Sequence, residues 1–238
     1  MPAEHQLIAP SDAALFGKHP GHGDFISAGM PDDFERVLSE WLGATLGEVR
    51  DALGNRWEAV QSGSVALRFW IGGALADGRP WRGALRLSGD KVGRRYPLLA
   101  MQATTPDTLP TVAVDQAFYQ TAESALSAML GEASLNPAEA LRGVAELFAR
   151  HPNGTEATSD HMFWAAKQAA NVEQLCAEVA LTDLVAAASG RSYWWFENRF
   201  ADQSGILACY GLPGAQALGW LIGGGMNTDT AETRGTDI

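Results

Sequence analysis

The sequence predicts an α+β fold: a single, largely antiparallel sheet with helices packed on it in α/β/α-like layers, and a helical middle segment. Three observations carry this. Apolar residues recur at helical spacing from Pro31 to Leu53. Three strand-like runs lie between Val65 and Thr104, separated by turn-rich loops. Strands and helices come in runs rather than in strict alternation, which argues against repeated parallel β-α-β units.

The elements follow in order. ALFG, Ala14 to Gly17, reads as a short strand. In the segment Pro31–Leu53 the residues Phe34, Val37, Leu38, Trp41, Leu42, Leu46, Val49 and Leu53 share one helical face, and Pro31, Asp32 and Asp33 suit a helix start. VALRFWI (Val65–Ile71), WRGALRL (Trp81–Leu87) and PLLAMQAT (Pro97–Thr104) are rich in apolar, β-branched or aromatic residues and form a predicted meander. TTPDTLPT then breaks the chain. Helices are expected over Asp115–Leu130, over Asn136–Arg150 with Asn136 as N-cap and Pro137 at the first helical position, and over Asn171–Ala188. HPNGTEATSD (His151–Asp160) is expected to be a surface loop. SYWWFEN (Ser192–Asn198) and GILACYG (Gly205–Gly211) are two late strands, expected to join the same sheet, and Pro213–Ile222 is a last short helix. Residues 1–222 are thus expected to form one domain, with a possible subdivision near 105–114, and 223–238 a disordered tail.

Composition narrows the function. The 238 residues are 46% hydrophobic and 19% charged, as in a soluble globular protein. The net charge of −11 argues against a nucleic-acid binder and against docking on anionic lipid. No signal peptide and no membrane-spanning run is apparent, so a cytoplasmic location without direct membrane insertion is expected. Cys176 and Cys209 sit among apolar residues and are expected to be buried and reduced.

Three stretches carry candidate chemistry. GKHPGHGDF, Gly17 to Phe25, lacks the Walker A pattern because Lys18 is followed by His19 and no helix can start at Pro20–Gly21. His19, His22 and Asp24 are the set that would hold a metal ion. The competing reading is a shaped turn in which Gly21 and Gly23 supply positive φ, Pro20 fixes φ, Asp24 bonds backbone N–H groups, and Phe25 and Ile26 anchor the loop in the core. SGDKVGRRYPL, Ser88 to Leu98, gathers Asp90, Lys91, Arg94 and Arg95. Paired arginines suit a carboxylate or phosphate, and Lys18 with Arg94 and Arg95 would be the set for a phospho-ligand. A salt bridge from Arg94 or Arg95 to Asp24 or Asp90 would instead lock the two loops together. In SYWWF the side chains must alternate, so Trp194 either faces out as an interface anchor or is buried under a helix. No nucleophile elbow and no activated cysteine is present, and no motif calls for a cofactor.

Taken in order, GKHPGHGDF, the EWL around Trp41, SGDKVGRRYPL, and SYWW followed by GLP resemble the TagF/ImpM family of type VI secretion accessory proteins. The helix carries Val37-Leu38 where the family commonly has a first Trp, and these 238 residues hold none of the phosphatase domain that some members of the family carry. The resemblance implies a regulator without catalytic activity, similar to post-translational repressors of type VI secretion. It implies a protein partner, the cytoplasmic scaffold bearing a forkhead-associated (FHA) domain. Lys18, His19, His22, Asp24, Trp41, Asp90, Arg94, Arg95 and Trp194 are the motif positions that would serve such binding. The alternative is a metal-dependent hydrolase using His19, His22 and Asp24.

Overall fold

The computed structural model describes residues 12–112, 114–151, 172–198 and 202–225. The chain runs through β1 (Ala13–Gly17), β2 (Ile26–Ala28), α1 (Asp32–Leu53), α2 (Trp57–Ser62), β3 (Leu67–Ile71), β4 (Trp81–Gly89), β5 (Arg95–Ala103), α3 (Gln116–Gly131), α4 (Pro137–Phe148), α5 (Val172–Ala187), β6 (Arg191–Asn198), β7 (Gln203–Tyr210) and α6 (Ala215–Ile222). The strands form one sheet in the order β2-β1-β5-β4-β3-β6-β7, and every neighbouring pair is antiparallel. The meander β3-β4-β5 is as expected, and the late hairpin β6-β7 joins the same sheet where Phe69 pairs with Trp194. The short β2 and α2 had no signature in the sequence.

Each face of the sheet carries its own core, and strand alternation sorts the residues between them. Ala13, Leu15, Trp70, Ala84, Leu98, Ala100, Tyr193 and Trp195 pack under α3 and α4, against Phe118, Leu126, Val144 and Phe148. Ala14, Phe16, Phe69, Ile71, Leu85, Leu99, Trp194 and Phe196 pack under α1 and α6, against Phe34, Leu38, Leu42, Leu218 and Leu221. Because both faces are covered, the central strands are mostly apolar on both sides rather than strictly alternating with polar residues. The sheet is therefore the middle layer of an α/β/α arrangement.

Helix starts obey the local rules. The Asp115 carboxylate accepts the Phe118 N–H at 3.0 Å, and Asn136 Oδ1 accepts the Ala138 N–H at 3.1 Å with Pro137 following it. Two charged residues break the apolar pattern inside the sheet. Arg68 is buried, and its guanidinium reaches Glu123 at 2.7 Å and Glu197 at 2.8 Å. Arg82 is buried over the Phe118 ring at 3.9 Å and bonds Gln102. Each is a buried charge given partners, as burial requires.

The cysteines depart from expectation. Cys176 is exposed and Cys209 half-buried. Cys209 lies on β7, an edge strand with a neighbour on one side only, where its Sγ sits 3.4 Å from Ser192 Oγ. The segment His151–Asp160 and the tail 223–238 fall for the most part outside the described residues.

Candidate functional site

The quoted motifs gather into two clusters. The first joins the loop after β1 to the turn between β4 and β5. Gly17, at the end of β1, has φ 127° and lies against the β5 backbone, where an added Cβ would stand 1.9 Å from the Pro97 carbonyl oxygen. Only glycine fits there. The Lys18 N–H then donates to the Pro97 carbonyl at 3.1 Å, and the Lys18 ammonium turns inward to Asp90 at 2.9 Å.

Asp90 is the centre of this cluster. Its buried carboxylate accepts from Lys18 Nζ, from the Val92 N–H at 3.1 Å, from the Arg94 N–H at 2.8 Å and from Arg94 Nε at 2.5 Å. Burial alone would raise its pKa. The Lys18 hydrogen bond and the Arg94 and Val92 contacts outweigh that and hold it well below the usual carboxylate range. The Arg94 guanidinium also donates to the Gly23 carbonyl at 2.8 Å, and the Lys91 N–H to the His22 carbonyl at 2.8 Å. The two glycine loops are thus locked together, as one of the sequence readings had it. The carboxylate that does this is Asp90. Asp24 is exposed and takes no part, because Arg94 reaches the Gly23 backbone instead.

The histidines fasten the other side of the loop. His19 is fully buried; its Nδ1 accepts the Gly21 N–H at 2.9 Å and its Nε2 donates to the Met129 carbonyl at 2.7 Å. That pattern fixes the neutral tautomer with the proton on Nε2. His22 Nε2 donates to the Leu135 carbonyl at 2.5 Å. Both rings therefore satisfy backbone carbonyls at the end of α3 and in the α3–α4 connection.

These contacts correct the metal reading. Both ring nitrogens of His19 face backbone groups, the two imidazole centroids are 6.3 Å apart, and Asp24 points to solvent. No group of three or more potential ligands converges among the described residues. The glycine reading is corrected as well. Neither Gly21 nor Gly23 has positive φ. Gly21 is needed for close approach, since a Cβ would lie 2.6 Å from the Ala133 carbonyl oxygen, whereas a Cβ at Gly23 meets nothing within 4 Å. Ile26 anchors the loop in the core, but Phe25 is 49% exposed, set edge-to-face against Tyr96 at 4.8 Å with the Lys18 ammonium 4.9 Å from its ring centre. Lys18, held by Asp90, is not available for a phospho-ligand; Arg95 is exposed.

The second cluster joins EWL, SYWW and GLP. Trp194 is fully buried, which settles its two readings in favour of the helix-covered one. Its ring lies 5.2 Å from Trp41 and 5.1 Å from Phe69, and its Nε1 donates to Ser192 Oγ at 2.9 Å. Trp41 Nε1 donates to the Pro213 carbonyl at 2.7 Å, tying α1 to the segment that leads into α6. Surface depressions lie along the first turns of α1, at Asp32, Glu35 and Ser39, and beside β7, at Trp195, Glu197 and Ile206. Neither takes in Asp90, Lys18, Arg94, Trp41 or Trp194.

Sequence reasoning missed the carbonyls of Met129 and Leu135, which carry no side-chain signature. It also missed Arg68 and Arg82, whose signal was present as arginines set among the apolar residues of two strands, Arg68 alone in β3 and Arg82 with Arg86 in β4.

Comparison with known proteins agrees with this geometry. A family model described as the TagF N-terminal domain, type VI secretion system-associated, matches residues 14–147. The crystal structure of PA0076 from Pseudomonas aeruginosa PAO1 is similar at a TM-score of 0.70 and 26% identity, covering 94% of this chain and 100% of that one. No curated protein matches the chain significantly in sequence. The family match ends within α4, yet β6 beyond it pairs with β3, so the later strands complete the sheet that the matched region begins.

Proposed function

The chain belongs to the TagF N-terminal domain family, associated with type VI secretion systems, and on that premise we propose that it is a non-catalytic cytoplasmic regulator that represses type VI secretion by binding a scaffold protein with an FHA domain. The family match over 14–147 carries the reading. The chemistry of the motif residues supports it. Lys18, His19 and His22 are each engaged with groups of the chain itself, so the motif serves to shape a surface. No described helix is long and apolar enough to cross a membrane.

The test is direct binding. The full chain and the FHA-domain scaffold encoded by the same bacterium are purified and titrated by calorimetry. A dissociation constant of about 10 μM or tighter is expected. No heat at several times that concentration overturns the partner assignment. In the cell, deletion of the gene is expected to raise type VI secretion, and unchanged secretion overturns the repressor role.

A further inference from the structure

The two locked loops present an exposed surface that is rich in cations. Lys91, Val92, Gly93, Arg94 and Arg95 are all exposed, and Val92 is 73% exposed at the tip of the turn. Lys91, Arg94 and Arg95 put three cations within five residues of a chain with net charge −11. The Arg94 side chain remains 63% exposed despite its bond to Asp90. The Lys91 ammonium and the Arg95 guanidinium make no ion pair among the described residues. Across the lock, the end of the GKHPGHGDF loop adds the half-exposed ring of Phe25, with Asp24 the exposed carboxylate on these loops and Asp90 buried beneath them. Beyond Phe25 the surface turns acidic at Asp32, Asp33 and Glu35 in the first turn of α1, which gives the cationic edge a border.

The backbone beneath this surface is fixed. Asp90 gathers Lys18, two backbone N–H groups and the Arg94 guanidinium, and further bonds run from Lys91 to His22 and from Arg94 to Gly23. An exposed turn with unpaired cations and an apolar tip is thus held in one geometry before any partner arrives. Such preorganisation lowers the ordering entropy lost on binding.

The geometry points to this paired-loop surface, Phe25, Lys91, Val92, Arg94 and Arg95, as the docking site for an acidic protein segment that carries an apolar side chain. Carboxylates of the segment meet the three cations, and its apolar residue covers Phe25 or Val92. Complementarity of charge selects the partner: an acidic chain is repelled by most of this protein and attracted at this edge. The inference rests on the protein-binding regulator proposed above and names its surface.

The test uses the full chain and the Lys91→Glu/Arg95→Glu variant. Neither side chain has an internal partner, so the variant is expected to keep its melting temperature; Lys91→Ala/Arg95→Ala serves if it does not. Against the FHA-domain scaffold, charge reversal is expected to weaken binding by about tenfold or more, with the wild-type affinity falling as salt is raised. If the scaffold binds the wild type and the variants within about twofold, this surface is overturned while the proposed function stands. If the scaffold binds neither, the partner assignment fails, and the surface is read with a fluorescein-labelled Asp/Glu-rich peptide bearing one Phe. Saturable binding lost in the variants supports the site. No saturation up to about 1 mM overturns it. A concentration-dependent dimer abolished by Asp32→Lys/Asp33→Lys would place a second copy there instead and would also overturn the assignment.

Discussion

Two glycines of the first loop, two residues apart, are predicted to respond in opposite directions to the same methyl group. At Gly21 an alanine Cβ would stand 2.6 Å from the Ala133 carbonyl oxygen and 3.0 Å from Ser134 Cα. An ordinary carbon–oxygen contact needs about 3.4 Å, so the loop and the α3–α4 connection must part by about 0.8 Å. The neighbouring His22–Leu135 bond, 2.5 Å long, crosses the same gap and lengthens with it. Overpacking of this kind destabilises by about 1–3 kcal/mol, of which the reduced entropy of the unfolded chain returns about 0.4–1 kcal/mol. Gly21→Ala should therefore lose about 1–2 kcal/mol. At Gly23 the new methyl meets nothing within 4 Å and φ is not positive, so only the entropic gain of about 0.4–1 kcal/mol remains. The gap between the two variants is about 2 kcal/mol, which for a chain of this size separates their melting temperatures by about 4–8 °C. Calorimetric or circular-dichroism melts of both proteins at neutral pH read it. A Gly21→Ala protein that melts at or above Gly23→Ala refutes the close-approach argument.

Three further predictions follow from the same geometry. Replacing His19 by Leu leaves the Gly21 N–H without its acceptor and takes one of two donors from the Met129 carbonyl, which keeps the Glu132 N–H at 3.0 Å, so the loss is about 1–3 kcal/mol; nitrogen-15 spectra of the wild type should show the His19 proton on Nε2, and a proton on Nδ1 would contradict the assignment. Asp90 has a folded-state pKa below its unfolded value, so the stability it contributes is present above about pH 4 and is lost as pH falls below that toward the folded value. The stability advantage of the wild type over Asp90→Asn in urea melts should therefore shrink from pH 5 to pH 3, and a constant or growing advantage is inconsistent with the Lys18–Asp90–Arg94 arrangement. Truncating fully buried Trp194 to Ala should cost about 3–5 kcal/mol, whereas Tyr210→Ala on the exposed face of β7 should stay within about 0.5 kcal/mol; equal effects of the two would mean that the second cluster is not packed as described.

Much of this was legible in the sequence because periodicity reports burial. The helical stripe from Phe34 to Leu53 and the apolar runs of β3, β4 and β5 lie where the pattern put them. SYWWF resisted a single reading because alternation says which side chains share a face, and says nothing of what covers the other face. Helices on both sides of the sheet bury Tyr193, Trp194, Trp195 and Phe196 alike. The site was less legible for a different reason. Two carboxylates and two arginines stood in the loops, and sequence alone could not choose among their pairings. Backbone acceptors decided it: the Gly23, Met129 and Leu135 carbonyls take up Arg94, His19 and His22, and a carbonyl leaves no mark on residue identity. Phe25 was misplaced because an aromatic residue beside a buried Ile26 reads as core, although here it covers Tyr96 from the solvent side.

The strand order also sets a timetable. β3, β4 and β5 follow one another through connections of nine and five residues, whereas β1 pairs with β5 at sites such as Leu15–Ala100 and β6 with β3 at sites such as Trp195–Arg68, far apart in the chain. Closing such long spans is slow, so local hairpins form ahead of them. The turn bearing Asp90 is therefore predicted to form early, with the meander, its carboxylate open until β1 docks and delivers Lys18. During that interval nascent chains expose a half-built seam, and a mutation that delays β1 would lengthen the interval without altering a single contact of the finished protein.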